Sequence, residues 1–417
     1  MRRDNEFLVS IISKITLVLL SFVNTIVINR YLGAELRGDY AFILNISNII
    51  TIIIGFNIAS SYPFFSRKTG SNLIRNYINI LFVQISIYAI AILVIYCFFD
   101  NKLLVSVIII SIIIQFSNQL DFLSIILNVN KRNRIVIIAS IINTISLIYL
   151  SFSFESKVQY VLFVLLAYNI LKIFLFLISN KLIPGKNTFK LSTKEVLKFS
   201  FFPMIISLFT IFNYNIDVVI LKLFVGSKEV GIYSVGVTLA SMLWIIPDAF
   251  KDVLFNRTAK SDSIYLVKLS IKINIYICIV VILFFFLIGQ LFIDFIYGVQ
   301  YSSSYNVSLI LLIGTIPMIF FKMINTLYQS IGAQKFSFYI LLISVILNVI
   351  LNVILIPYMG ILGAAISSVI SYLLSGIIML ASFMKRYKIR LDEIFIFQAY
   401  EKDILKNKYK NFSLNRR

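Results

Sequence analysis

Histidine is absent from all 417 positions, which removes the usual zinc and haem ligand, the usual general base and any histidine proton relay. Cysteine occurs only twice, at Cys97 and Cys278, each inside an apolar run and far from the other in sequence. Neither a disulfide framework nor a cysteine-based metal site is expected from them. Charge is scarce as well, at 13% of residues, and acids are scarcer than bases: 18 Asp and Glu against 38 Lys and Arg. The resulting net charge of +20 would suit a nucleic-acid binder only on a basic folded surface, and here the charges lie between apolar stretches.

Those stretches dominate the chain. Hydrophobic residues make up 60% and the mean hydropathy is +0.95, more apolar content than a soluble core of this length can hide. The solvent must be largely lipid. Runs of about 20 residues without strict alternation select helices over a barrel. Spans are predicted at 7–28, 40–62, 77–99, 103–128, 134–154, 158–179, 199–225, 229–250, 269–297, 305–329, 336–356 and 361–384. The first follows Arg2 and Arg3, exceeds a signal-peptide core and lacks a small-residue cleavage pattern, so it is expected to stay as a span.

With the N-terminus inside, 29 Lys and Arg fall in cytoplasmic segments and six outside. This asymmetry orients both termini to the cytoplasmic side of the membrane and accounts for the pI of 9.7 without a nucleic-acid partner. No connection is long enough for a soluble catalytic domain. The tail interleaves Leu391, Ile394, Phe395, Phe397, Ile404 and Leu405 with Lys and Arg, which suits either a helix on an anionic leaflet or a solvated basic tail.

Two segments repeat the pattern G-x4-G-x-Y: Gly33, Gly38 and Tyr40 after span 1, and Gly226, Gly231 and Tyr233 after span 7. Each is expected in a short outer connection, with glycines for the turn and tyrosine at the membrane interface. A looser echo pairs Asn130-Lys131 and Asn143 with Gln334-Lys335 and Asn348. Both in the same order imply duplicated six-span halves sharing one orientation. The predicted organisation is an N-terminal lobe at 1–180, an interlobe loop at 181–198, a C-terminal lobe at 199–384 and a basic cytoplasmic tail at 385–417, with a substrate cavity between the lobes.

The segments RYLGAELRGDYAF (30–42), NYNIDVVILKLFVGSKEVGIYSVG (213–236) and GAQKFSFYILLISVILNVILNVILIPYMGILGAAISSVIS (332–371) resemble the polysaccharide transporter family. These are the Wzx-type O-antigen flippases, in the superfamily that also holds MATE drug exporters and lipid II flippases. The resemblance implies an all-α, MATE-like, V-shaped transporter of about twelve helices. It also implies a function: moving an undecaprenyl-diphosphate-linked oligosaccharide, an O-antigen or capsule repeat unit, from the cytoplasmic to the periplasmic leaflet. Membrane lipids and a polysaccharide polymerase machinery are the implied partners. A MATE-type ion-coupled drug exporter is the alternative, and a membrane polymerase or glycosyltransferase a more distant one.

Such transport needs fixed cations, a polar path and a bias between states. Lys14, Lys172 and Lys322 lie within spans 1, 6 and 10, each about seven residues or roughly 10 Å from the inner end. They are expected either to face a wet cavity or to snorkel. Arg30 and Arg37, at the outer mouth, either receive diphosphate on exit or are solvated loop charges. Asp217, with Asn213 one turn earlier on its face, is the leading acid for coupling to H+ or Na+; no other cofactor is expected. Asp121 is a second coupling candidate, with an ion pair to Lys14 or Lys322 as its structural alternative. Asp248 is expected at a cytoplasmic helix end. Pro247 and Pro317 interrupt spans 8 and 10 where a hinge or a static kink would form. Asn45 and Asn48, Gln115, Asn118 and Gln119, and Ser344, Asn348 and Asn352 keep helical spacing, either lining a sugar path or joining helices.

Overall fold

The computed structural model describes residues 2–98, 102–180, 185, 191–258, 264–330 and 333–398. Every regular element among them is helical: α1 (Arg2–Gly55), α2 (Tyr62–Thr69), α3 (Ile74–Phe98), α4 (Lys102–Leu127), α5 (Val129–Ser153), α6 (Val158–Asn180), α7 (Thr193–Phe224), α8 (Ser227–Leu243), α9 (Ile245–Thr258), α10 (Ile264–Ile296), α11 (Ser304–Ser330), α12 (Gln334–Tyr387) and the single turn α13 (Asp392–Phe395).

Helices α1 and α12 each hold 54 residues, about 80 Å of helix, against a hydrocarbon core of about 30 Å. Each is broken once by a glycine in a backbone region closed to other residues: Gly33 at φ 68°, ψ 175° and Gly360 at φ 55°, ψ −131°. Each therefore folds back as two arms, and among the described residues ten apolar helical runs are long enough to cross a membrane, two of them long enough to cross twice, in keeping with the about twelve spans that the hydropathy pattern predicts. The lipid-facing surfaces are plain on α10, where Leu283, Leu287, Leu291 and Phe295 form a stripe at four-residue spacing, between 58% and 78% exposed. Apolar stripes of this size are stable only against lipid, and the protein is a multi-pass membrane protein.

Packing divides the chain into two compact units, residues 1–231 and 232–417. The first unit includes α7 because α7 packs along α1 and against the segment that follows it. Phe199 stacks on Phe64 with ring centroids 4.5 Å apart and meets Phe65 edge-on, and Phe201 lies against Phe56. Within the first unit one buried apolar cluster gathers Tyr62, Tyr77, Leu81, Leu120 and Phe176, and another gathers Leu32, Tyr40, Ile43, Leu147 and Val161.

In the second unit, Ser344 donates to the Ser371 carbonyl at 2.8 Å, Asn348 reaches the hydroxyls of Ser368 and Ser371 at 3.3 Å, and Asn352 donates to the Asn348 carbonyl at 2.9 Å. These residues are fully buried between the arms of α12, so the span-11 amides join helices. The start of the tail is docked on this unit too. Ile394 is buried, Lys268 pairs with Glu393 at 2.7 Å, and Tyr276 stacks on Phe397. The Lys268 hydrogen bond, helped by the Arg390 backbone N–H, holds the Glu393 carboxyl below its ordinary value. Ile394 and Phe397 thus pack on this unit and Phe395 meets Phe320 of α11, while Leu391 and Ile396 stay exposed; Ile404 and Leu405 lie outside the described residues.

Candidate functional site

The repeated glycines meet one another. A Cβ on Gly38 would fall 1.7 Å from the Ser227 carbonyl oxygen, and one on Gly231 would fall 1.8 Å from that of Ala34. Ala34 and Ser227 are separated by the same 193 positions as Gly38 and Gly231, so the contact is reciprocal: each repeat offers its glycine to the other's carbonyl. Ala34-x3-Gly38 and Ser227-x3-Gly231 are both small-x3-small sequences, the pattern that lets helix backbones touch. Beside the crossing, Lys222 pairs with Asp39 at 2.7 Å and hydrogen-bonds Ser227, and Ser227 donates to Asp39 at 2.7 Å. The repeat is legible in the sequence, whereas the Lys222–Asp39–Ser227 latch emerges only in the fold. The signal for the glycine crossing is the match of small residues at four-residue spacing on both copies.

Two expectations about this region change. The connection after span 1 is barely a loop, since helix resumes at Ala34, and the repeat tyrosines are buried at 5% for Tyr40 and 0% for Tyr233 instead of sitting at an interface. Arg37 is buried, not a solvated loop charge: the fold-back at Gly33 brings its Nε to the Asn29 side-chain oxygen at 2.7 Å, with the guanidinium over Tyr40. Arg30 is exposed.

Next to the latch opens a pocket of about 810 Å³. Leu36, Phe42, Ile43 and Leu162 form its apolar wall, while Lys157, Lys222 and Ser156 supply polar groups. Its one acid, Asp39, is already engaged by Lys222.

Deeper in the first unit, α1 ends at Gly55 with Phe56 and Asn57 in left-handed backbone, φ 49° and 48°, before a short 3-10 turn over 58–61. Non-glycine residues adopt this conformation at about 1–3 kcal/mol each. The freed backbone is held by side chains from α4 and α3. Gln119 donates to the Gly55 carbonyl at 2.6 Å and accepts the Ala59 N–H at 2.7 Å, while Gln84 and Tyr88 both donate to the Ile54 carbonyl at 2.6 Å. Gln115 steadies Gln84 at 2.8 Å. A cavity of about 170 Å³ lies beside this break.

Gln115, Asn118 and Gln119, expected from their helical spacing to line a sugar path or join helices, line this cavity, whereas Lys172, Asp121, Asp217 and Asn213 line neither pocket. The side chain of Lys14 lies outside the described residues. Lys172 is 6% exposed among the helices of the first unit, 5.2 Å over the Tyr168 ring. Asp121 is held in a two-pronged ion pair by Arg132, at 2.6 and 2.7 Å, so its partner is neither lysine considered from sequence. Asp217 and Asn213 are buried at 2% and 1%, and one Asp217 oxygen accepts the Val218 N–H at 2.8 Å.

In the second unit Lys322 sits 2.9 Å from Asp248 and 4.7 Å over the Trp244 ring. Pro247 builds this cluster. Its ring excludes a helical carbonyl four residues back, at Leu243, so the helix stops there, Trp244 occupies a turn, and α9 restarts at Ile245. Pro317 lies inside the unbroken α11, where the missing Cβ of Gly376 admits its carbonyl.

Residues 5–255, well over half of the chain, match the family described as polysaccharide biosynthesis protein. Comparison with curated proteins finds no match. Among solved structures, the chain is similar to the lipid II flippase MurJ in an inward closed conformation, at 15% identity and a TM-score of 0.69 over 93% of this chain and 89% of that one. It is also similar to an inward-facing multidrug resistance MATE family transporter of the MOP superfamily, at 16% identity and a TM-score of 0.67 over 89% and 94%. A MOP superfamily transporter from Pyrococcus furiosus aligns at 14% identity with a TM-score of 0.62 over 91% and 94%. The chain belongs to the polysaccharide biosynthesis protein family and has the all-helical fold shared by MATE transporters and the MurJ flippase.

Proposed function

We propose that the protein is a flippase carrying an undecaprenyl-diphosphate-linked oligosaccharide, an O-antigen or capsule repeat unit, from the cytoplasmic to the periplasmic leaflet of a bacterial inner membrane by alternating access. The observation that carries this reading is the 810 Å³ pocket, which sets an apolar wall against Lys157 and Lys222. An amphiphile with an anionic head satisfies both: the isoprenoid covers Phe42, Ile43 and Leu162, and the diphosphate answers the ammonium groups. The family match supports a polysaccharide cargo, and the likeness to MurJ supports a lipid-linked one.

On this reading the charge asymmetry puts the glycine crossing and the Lys222–Asp39–Ser227 latch at the periplasmic ends of spans 1, 2, 7 and 8. The latch closes the path while the carrier faces inward, and it opens for release when a phosphate competes with Asp39 for Lys222. Lys322, with Lys14 and the exposed Arg30, supplies further cations along the path. Asp217, beside Asn213, is the proposed acid for H+ or Na+ coupling, and the break before Pro247, with Pro317 inside the continuous α11, is the proposed place where helix arms tilt between states.

Headgroup accessibility in cells tests the reading. In a deletion strain, completed oligosaccharide-diphosphate lipids are expected to be reachable only from the cytoplasm, and normal periplasmic exposure in that strain would refute the flippase. A second reading, an ion-coupled drug exporter, draws on the likeness to MATE transporters. It predicts drug hypersensitivity with normal surface polysaccharide on deletion, the opposite pair of results.

A further inference from the structure

We infer that the polar cavity beside the break after Gly55 binds a single uncharged sugar ring of the cargo. This rests on the flippase reading and deepens it. The cavity is formed by Thr51, Asn57, Asn118, Gln119, Phe122 and Ser207 with neighbouring backbone, and no ionisable group is among its lining residues. A phosphate placed there would lose its hydration against no cation, and a drug cation would find no carboxylate. A neutral polyol meets neither problem, because each hydroxyl both donates and accepts and the walls offer amides and hydroxyls that do the same.

The polar groups divide into two sets with different tasks. Gln119, Gln84 and Tyr88 are consumed by the carbonyls and N–H that the helix break sets free. Asn118 is not: its amide is exposed, presenting one acceptor and two donors to the space. Thr51 donates outward to the Ser111 carbonyl at 3.2 Å, and Asn57 donates to Ser207 at 3.2 Å, which leaves an oxygen acceptor on each. Phe122 stands one turn beyond Asn118 on the same helix face, so an amide that grips hydroxyls adjoins a ring that covers the C–H face of a pyranose.

Size limits the ligand. The volume of 170 Å³ equals roughly six waters at about 30 Å³ each, below the 300 Å³ at which pockets for larger ligands begin. One ring fits; an oligosaccharide must leave its other residues outside. The break itself forms part of the wall, since Gly55, Asn57 and Ala59 all line the cavity.

The test uses the purified full-length chain in an amine-oxide detergent, which has no sugar headgroup to compete, and saturation-transfer NMR with simple probes. Neutral methyl hexopyranosides and methyl N-acetylhexosaminides are expected to show transfer, and a methyl hexuronide several-fold less. Asn118→Leu and Phe122→Ala should each reduce the neutral signal at least fivefold, while Lys335→Met, at an exposed position lining neither pocket, leaves it unchanged. Thr51→Val, nearly isosteric, supplies a weaker reduction should Asn118→Leu fail to fold. Absence of transfer from neutral glycosides, equal transfer in the variants, or a stronger signal from the hexuronide would overturn the inference, the cavity then serving only to hydrate the helix break. Headgroup accessibility separates the two ideas: normal flipping by Asn118→Leu with no glycoside binding sinks this site alone, whereas normal exposure in the deletion strain sinks the flippase.

Discussion

Lys322 shows how a residue changes meaning once its neighbours are known. In sequence it is a lone cation in an apolar run, while in the fold it lies between the Asp248 carboxylate and the Trp244 indole, both placed by the helix stop before Pro247. A cation that only pairs with Asp248 and one that also receives cargo differ in a double-mutant cycle. Lys322→Met is expected to lower surface polysaccharide about tenfold. Adding Asp248→Asn should restore the thermal midpoint but not export, and recovery of export in the double variant would reduce Lys322 to a structural cation. The stability part should be modest, about 1 kcal/mol, because Asp248 is half exposed.

Gly38 and Gly231 make a sharper demand. Alanine at either puts a methyl inside a backbone carbonyl's radius, and the crossing must part to accept it. Gly38→Ala is expected to destabilise by about 1–3 kcal/mol, as overpacking does, visible as a lowered melting midpoint in detergent. It should also suppress the disulfide that forms between cysteines at Asp39 and Ser227. Undiminished cross-linking in Gly38→Ala would show that the helices do not depend on this contact.

Elements here are defined by where they break. Gly33 and Gly360 turn two uninterrupted helical patterns into pairs of arms, and the second pair is sewn together by Ser344 and Asn348 against Ser368 and Ser371, with Asn352 bonded to Asn348 on its own arm. The α13 turn is held by a charge. The folded Glu393 carboxyl titrates below its ordinary value of 4.5, so docking gains stability above that value and loses it as pH falls through the lower folded value. Hydrogen exchange of residues 392–396 should therefore be flat from about pH 8 to 5 after correction for intrinsic rates, and accelerate below about 4. In Glu393→Gln the extra protection above pH 5 should be gone. A variant indistinguishable from wild type there would mean that Ile394 and Phe397 hold the turn alone.

For the whole molecule, the twelve predicted spans and the distribution of lysine and arginine make a statement about sides. Lys68→Cys should resist an impermeant thiol reagent in intact cells, and Glu155→Cys should react; the reverse pattern would invert the topology and with it the assignment of the latch to the periplasm. The same scale explains why the first unit runs on through α7 to Gly231. Phe199 and Phe201 pack on the residues after α1, which keeps α7 in the first unit.

Composition and hydropathy by themselves determined that the chain crosses lipid as about a dozen helices, because the transfer energy of an apolar run depends on its length and content and not on its neighbours. The repeat was also readable, since it is a property of order along the chain. Which polar side chain serves which purpose was decided only by tertiary structure. Asp121 takes Arg132, Lys322 takes Asp248, Gln119 mends a backbone break 64 positions away and Asn118 beside it faces a cavity, and nothing in one-dimensional spacing separates those cases. In a low-dielectric interior a polar group is defined by the partner that satisfies it, and partners are chosen by how the helices pack.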